Sequence, residues 1–264
     1  MSKPWESVEL CGMRLENVDS GRLIEHMFER LRAAEGGWLI TANLDFLRRH
    51  VKDANARGIY AGADLRVADG MPLIWASRLR GTPLRERVAG SSLVMPLCER
   101  AAHEQRSVYL LGGEPAAGKA AAEKLKARYP TLRIAGVSSP WVGAEPTDAE
   151  LGPIAEALSA ARPDIVLVAF GSPKQERVIG KLRASLPGAW WIGVGISLSF
   201  IAGHVKRAPE LVQALGLEWA HRLVQEPRRL FRRYVIEDIP FAFELFGRAA
   251  ADRLRAKDEE RGSG

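Results

Sequence analysis

Apolar residues occur along the chain in short runs that alternate with longer segments of helical periodicity. The runs cover residues 38–41, 65–69, 107–112, 132–137, 164–171 and 190–195, and the segments between them are rich in Ala, Leu and Arg. Short apolar runs bounded by turn residues are typical of buried strands. The alternation therefore predicts an α/β fold, with a mostly parallel sheet flanked by helices on both faces.

The pattern changes after Gly203, where only helical periodicity remains. We therefore divide the chain into an α/β core, residues 1–203, and a basic, amphipathic helical appendage, residues 204–264. The apolar side of the appendage is interpreted either as a cap on the sheet or as an element resting on an anionic membrane. Its first helical repeat consists of Leu211, Leu215, Trp219 and Leu223.

One stretch, residues 184–205, carries no formal charge and is long enough to cross a bilayer. Proline and several glycines interrupt it, and its apolar centre "AWWIGVG" reads as a strand followed by a turn. We therefore predict a buried strand there rather than a membrane span.

Charge is distributed unevenly over the 264 residues. Lys and Arg number 38 against 32 Asp and Glu, and residues 204–234 hold seven basic residues against three Glu. The appendage is therefore where we expect an anion to dock. The two cysteines have no metal-ligand spacing and the first residues lack an apolar signal region, so we expect a reduced, cytoplasmic protein.

Asp69 ends a predicted strand, in the sequence "VADGMPL". Because right-handed crossovers place all strand-to-helix corners at one edge of the sheet, this carboxylate belongs to the edge where ligands bind. An Asp with an ordinary pKa of ~3.9 is ionised at neutral pH and can act as a base. The alternative is that Asp69 only caps the helix that follows.

Glycine-rich corners follow two other predicted strands. "GGEPAAGKA" resembles a P-loop, but Ala120 stands where a hydroxyl should hold magnesium, so an NTPase is not favoured. Gly112 and Gly113 either let backbone amides approach a phosphate or form a plain turn. "GVGISL" matches a dinucleotide fingerprint only as far as its second glycine, and a nucleotide-dependent oxidoreductase is the weaker enzymatic alternative.

The corner "FGSPKQE" places Lys174 and Gln175 at the same edge. Ser172 and Gln175 have the spacing of a helix capping box, whereas presentation of Gln175 on the ligand edge suggests contact with a substrate. Both interpretations remain open from the residues alone.

No Asp-x-Asp sequence and no His/Cys cluster occurs, so we expect no metal and no cofactor. If the reaction has a diphosphate leaving group, arginines and helix termini must neutralise its negative charge in place of a metal. Arg222, Arg229 and Arg232 have the spacing of one helical face, although Pro227 interrupts that helix.

Taken together, seven motifs resemble the WecG/TagA/CpsF glycosyltransferases, family 26. They are "TAN" at 41–43, "ADG" at 68–70, "ERVAG" at 86–90, "LLGGEP" at 110–115, "FGSPKQE" at 170–176, "AGHVKRAPE" at 202–210 and "LGLEWAHRLVQEPRRLFRRY" at 215–234. The resemblance covers roughly residues 8–247. It implies a Rossmann-like catalytic core with a C-terminal appendage that closes over the active site and contacts the membrane.

The resemblance also implies an activity and its residues. The activity is inverting, metal-independent transfer of a sugar from a UDP-sugar to a polyprenyl-diphosphate-linked acceptor, on the cytoplasmic face of the plasma membrane, in synthesis of a cell-surface polysaccharide or teichoic acid. Asp69 matches the proposed base, and Thr41 a residue that assists it. The proposed substrate-binding positions match Asn43, Arg87, Gln175, Arg222, Arg229 and Arg232.

One motif departs from the family pattern. "GVGISLS" stands where many members carry "GVGGSFD", so Ile196, Leu198 and Ser199 replace Gly, Phe and an acid. The donor sugar, whether N-acetylmannosamine, its uronic acid or glucose, is left open by this change. The alternative from another class is a non-catalytic nucleotide- or nucleic-acid-binding protein that uses the basic appendage, although the chain lacks a recognition helix or an aromatic stacking platform.

Overall fold

The computed structural model describes residues 4–214 and 216–262 of the chain. Leu215 of the predicted helical repeat and the outermost residues of both predicted segments lie outside the described residues.

Strands and helices follow one another in the order that the apolar runs predict. The strands are β1 (Ser7–Leu10), β2 (Met13–Glu16), β3 (Gly37–Ala42), β4 (Leu65–Ala68), β5 (Ser107–Gly112), β6 (Arg133–Ser138), β7 (Ile165–Ala169) and β8 (Trp190–Gly193). The helices of the first 203 residues are α1 (Ser20–Arg32), α2 (Leu44–Lys52), α3 (Ala54–Ala61), α4 (Met71–Arg80), α5 (Gly90–His103), α6 (Pro115–Arg128), α7 (Asp148–Ala161), α8 (Lys174–Leu182) and α9 (Ser197–Ala202).

The C-terminal segment is helical, as predicted. It contains α10 (Glu210–Ala214), α11 (Glu218–Gln225), α12 (Pro227–Phe231), a π-helical turn (Arg232–Asp238) and α13 (Ile239–Gly262).

Six strands form one parallel sheet in the order β4-β3-β8-β7-β5-β6. The predicted Rossmann-like α/β fold is therefore confirmed. All six apolar runs are strands of this sheet, whereas the antiparallel hairpin of β1 and β2 was not predicted.

Alternate residues of the strands supply two apolar layers, one on each face of the sheet. Along β7, Val166 and Val168 face one layer, and Ile165 and Leu167 face the other. The first layer is covered by α2, α3, α4, α7, α8 and α13, and the second by α1, α5, α6 and α9. The sheet is therefore enclosed on both faces, and its strand ends are the edge that a ligand can reach.

The uncharged stretch at residues 184–205 is not a membrane span. It contains β8, whose Trp190, Trp191 and Ile192 are buried, and the short helix α9. Within residues 4–214 and 216–262, no helix combines the length and the apolar character needed to cross a bilayer.

Helix α13 packs against the core and contributes to its first apolar layer. Phe241, Leu245 and Ala249 are buried in the first apolar layer, chiefly beside α4. Ion pairs from Glu244 to Lys52 (2.7 Å) and from Asp252 to Arg80 (3.1 Å) flank this contact. The end of the appendage thus completes the core, while α11 contacts Arg87 of the loop before α5 through Glu218.

Candidate active site

Asp69 lies directly after β4, at the carboxyl edge of the sheet. Its backbone N–H donates to the carbonyl of Ala42 on the neighbouring strand at 2.7 Å. Its Oδ2 accepts a hydrogen bond from the N–H of Gly90, the first residue of α5, at 3.4 Å. Helix α4, which follows Asp69, has Gly70 at its N-cap and no side-chain cap. The interpretation of Asp69 as a cap of the following helix is therefore wrong.

Gly90 allows several elements to meet beside Asp69. A Cβ atom at this position would lie 2.9 Å from Thr41 Oγ1 and 3.4 Å from the carbonyl of Gly193. The start of α5 is therefore pressed against the ends of β3 and β8. Thr41 is buried on β3, which is the strand next to β4. The structure thus brings Thr41 and Asp69, both predicted from the sequence, to the same residue, Gly90.

Burial raises the pKa of the Asp69 carboxyl to about 6. The guanidinium of Arg87 opposes this rise, the carboxylate of Glu218 adds to it, and the Gly90 N–H and Arg207 oppose it further. An Asp with this pKa is mostly ionised at neutral pH and binds a proton more tightly than an ordinary Asp. The arrangement suits a carboxylate that accepts a proton from a substrate hydroxyl.

Arg87 and the appendage meet next to this carboxylate. Arg87 Nη1 lies 3.2 Å from Oε2 of Glu218, which is in the first turn of α11. Arg207 Nε lies 3.7 Å from Oε1 of the same Glu218, and Arg207 Nη2 donates to Ser92 Oγ at 2.8 Å. The appendage therefore reaches the candidate site through a carboxylate held between two guanidinium groups.

Asn43 lies opposite Asp69, directly after β3. Its Oδ1 accepts a hydrogen bond from the N–H of Phe46 at 3.1 Å, so its side chain caps α2. A Cβ atom on Gly70 would lie 3.9 Å from that of Asn43, which places the two corners in contact. This capping bond engages the carbonyl oxygen of the amide and leaves its NH2 group to donate elsewhere.

Gly112 and Gly113 form the corner between β5 and α6, with φ angles of +90° and +75°. Side chains other than glycine rarely adopt these angles, and a Cβ at Gly112 would also meet the ring of Phe170 at 3.0 Å. Helix α6 begins at Pro115 without a side-chain cap. Its first amides thus remain available to an anion at this edge.

Gln175 is buried, at 5% exposure, and its side chain crosses to the next corner. Its Oε1 accepts a hydrogen bond from the N–H of Gly195 at 3.1 Å. Lys174 donates to the carbonyl of Val142 at 2.8 Å, away from Gln175. Helix α8 has Pro173 at its N-cap and no side-chain cap, so the capping box expected from Ser172 and Gln175 does not form. In this arrangement Gln175 fixes the corner after β8.

The three predicted arginines of the appendage do not converge on one partner. Arg222 and Arg229 both pair with Glu226, at 3.6 Å and 2.5 Å. Arg232 instead pairs with Glu237 at 3.2 Å and is 83% exposed. Pro227 begins α12, so Arg222 stands on a different helix from Arg229.

Three participants in this site were missed by sequence reasoning. They are Gly90, whose amide faces Asp69, and the pair Arg207 and Glu218. Arg207 contributes to the positive charge of the appendage, but only the fold shows that it lies beside Arg87. Within the described ranges 4–214 and 216–262, no cluster of three or more His, Cys, Asp or Glu side chains is arranged to hold a metal.

Comparisons with known proteins agree with the motifs at this edge. The sequence model described as "Glycosyl transferase WecG/TagA/CpsF family" matches residues 8–255. A protein of Bacillus spizizenii is 31% identical over 217 residues, which cover 82% of each chain. That protein is named N-acetylglucosaminyldiphosphoundecaprenol N-acetyl-beta-D-mannosaminyltransferase.

Proposed function

Because the chain belongs to the WecG/TagA/CpsF glycosyl transferase family, we propose that it transfers a hexosyl or N-acetylhexosaminyl unit from a UDP-sugar to a polyprenyl-diphosphate-linked acceptor. The product would be an intermediate of a cell-surface polysaccharide or teichoic acid. The observation that carries this proposal is the placement of Asp69, whose carboxylate lies at the ligand edge beside Thr41 and Arg87 with a pKa of about 6.

Asp69 would act as the general base of an inverting displacement. The acceptor hydroxyl attacks the anomeric carbon, the bond from that carbon to the UDP oxygen breaks, and Asp69 takes the hydroxyl proton. UDP leaves with the bonding electrons, and its added negative charge is stabilised by guanidinium groups and helix amides in place of a metal. Thr41 and Asn43 would contact the sugar or the acceptor, and Gly112 and Gly113 a phosphate.

The donor is the least constrained part of the proposal. The name of the Bacillus spizizenii relative makes UDP-N-acetylmannosamine the first donor to test, with its uronic acid and UDP-glucose as the others. The departure at "GVGISLS" lies close to the phosphate corner, since a Cβ on Gly113 would be 3.8 Å from Leu198 Cδ1. Ile196, Leu198 and Ser199 are therefore the residues through which donor choice would change.

Transfer of label from a panel of UDP-sugars tests the proposed function. The assay supplies a polyprenyl-diphosphate-linked acceptor in bacterial membranes and is run with and without EDTA. We expect lipid-extractable label from one donor, at the same rate in both conditions. No transfer from any of the donors would contradict the proposal, and loss of transfer in EDTA would contradict metal independence.

The appendage is proposed to rest on the inner face of the plasma membrane. Four of its apolar side chains, Val224, Phe231, Ile236 and Phe243, are between 52% and 82% exposed. Arg228, Arg229 and Arg232 are exposed among them. Exposed apolar side chains interspersed with arginines are typical of a helix at an anionic lipid surface.

Substitution of Val224 and Phe243 by Ser is expected to weaken binding to anionic vesicles at least tenfold, because both side chains lose apolar area that would enter the lipid. Co-sedimentation with phosphatidylglycerol vesicles measures this change. Trp141→Ser is the matched control, since Trp141 is 80% exposed but lies in the loop between β6 and α7. Equal binding by the double variant and the control would exclude this surface as the contact.

A further inference from the structure

The two guanidinium groups beside Asp69 share a single carboxylate. Glu218 lies between Arg87 and Arg207, and the three side chains are only 19%, 19% and 27% exposed. Arg87 and Arg207 come from the loop before α5 and from the segment after α9, so they are far apart in sequence. Two arginines placed this close repel each other unless an anion lies between them. Glu218 supplies that anion in the unliganded protein.

The cluster of Arg87, Arg207 and Glu218 lies next to the candidate base. Arg87 precedes Gly90, whose N–H meets the Asp69 carboxylate, by three residues, and Arg207 bonds Ser92, two residues after Gly90, so the cluster lies around the start of α5 beside the candidate base. Arg207 is also directed by its bond to Ser92 Oγ, in the first turn of α5. The contacts with Glu218 are loose, at 3.2 Å and 3.7 Å, and they leave Arg207 Nε buried without a hydrogen bond. A better acceptor could therefore replace this carboxylate.

We propose that Arg207 and Arg87 form a diphosphate-binding pair, and that Glu218 occupies this pair until the diphosphate of a substrate replaces it. The inference rests on the proposed function, which supplies two diphosphates, one on the UDP donor and one on the lipid acceptor. A diphosphate offers several acceptor oxygens to the two planar guanidinium groups, where a carboxylate offers two.

Binding measurements on Arg207→Gln test the pair. UDP and farnesyl diphosphate serve as probes of the donor and acceptor diphosphates, and uridine as a ligand that lacks the group. We expect Arg207→Gln to weaken one diphosphate ligand by about tenfold or more, as loss of a charge-assisted hydrogen bond implies, with uridine affinity unchanged. Lys206→Gln is the matched control, because Lys206 is adjacent and exposed. The ligand that weakens identifies the source of the diphosphate.

Glu218→Gln gives an independent test, in which the affinity for the diphosphate ligand is expected to rise. Because no ion pair then has to be broken, we expect the same diphosphate ligand to bind several-fold more tightly. If Glu218 only held the appendage in place, Glu218→Gln would bind the diphosphate ligand more weakly, and the inference would be wrong. If Arg207→Gln is unfolded at the assay temperature, the diphosphate affinity of Glu218→Gln alone tests the inference.

Two further results would overturn the inference, and they differ in whether the proposed function survives. Unchanged affinity for both diphosphates in Arg207→Gln, with ligand binding by the unchanged protein intact, overturns the arginine pair and leaves the proposed function standing. If the unchanged protein binds neither UDP nor farnesyl diphosphate, the inference and the proposed function are both overturned.

Discussion

Replacement of Asp69 by Asn is expected to lower the turnover of sugar transfer by about 10²–10⁴-fold, the usual contribution of a general base. The amide keeps the size of the carboxylate, and its oxygen can still accept the Gly90 N–H. It cannot take the proton of an acceptor hydroxyl at neutral pH. UDP affinity should change little, because the lost function belongs to the chemical step. Steady-state transfer and UDP titration, measured on the same preparation, separate the two effects.

Asp148→Asn is the matched control for this change. The Asp148 side chain is 98% exposed on α7, where it pairs with Lys181 at 3.2 Å. Its replacement makes the same chemical change and should leave turnover unaltered. If Asp69→Asn turned over as fast as this control, Asp69 would not be the base.

Replacement of Asp45 by Ala is expected to destabilise the fold by about 3–5 kcal/mol, the cost typical of breaking a buried ion pair. Asp45 is 1% exposed in the first turn of α2, two residues after Asn43. Its carboxylate pairs with Arg48 at 2.7 Å, with Arg49, and with Arg233 of the appendage at 2.8 Å. The substitution leaves Arg233 with a longer contact to Asp238, at 3.9 Å. The α2 side of the site and the appendage would loosen together.

Thermal unfolding followed by circular dichroism measures this loss. For a chain of this size, 1 kcal/mol corresponds to roughly 2–4 °C, so Tm should fall by about 6–20 °C. Asp148→Ala removes an exposed ion pair and should shift Tm far less. An Asp45→Ala variant that melted with the control would show that the buried network does not hold the appendage.

The main sheet could be predicted from the sequence because its strands are buried on both faces. Runs such as "IVLVAF" at 165–170 are apolar throughout, which is typical of a parallel sheet between two helical layers. The hairpin of β1 and β2 was not predicted because its strands, SVEL and MRLE, contain no continuous apolar run. Its signal was alternation: Val8, Leu10, Met13 and Leu15 are buried. The turn at Cys11 and Gly12, both with positive φ, joins the two strands.

The candidate site could be predicted where it depends on strand ends. Asp69 follows from the rule that parallel strands end at one edge, whereas Thr41 and Asn43 were assigned from the resemblance to the family. Gly90, Arg207 and Glu218 could not be found in this way, because they come from segments that meet the edge only after the chain has folded. Gln175 matched a substrate-binding position of the family, and in the structure its Oε1 accepts a hydrogen bond from the backbone N–H of Gly195. Its contact with a substrate stays a prediction.

The pH dependence of kcat/KM for sugar transfer tests the role of Asp69 most directly, because it reports ionisation of the free enzyme. A base with a raised pKa of about 6 is protonated below that pH, so kcat/KM should fall as the pH drops through about 6 and level off above it. Burial also raises the pKa of Asp238 to about 6, so Asp238→Asn serves as a control and should keep the same acid limb. A kcat/KM that stayed constant from pH 5 to pH 8, or an acid limb that vanished in Asp238→Asn, would contradict the assignment of Asp69 as the base.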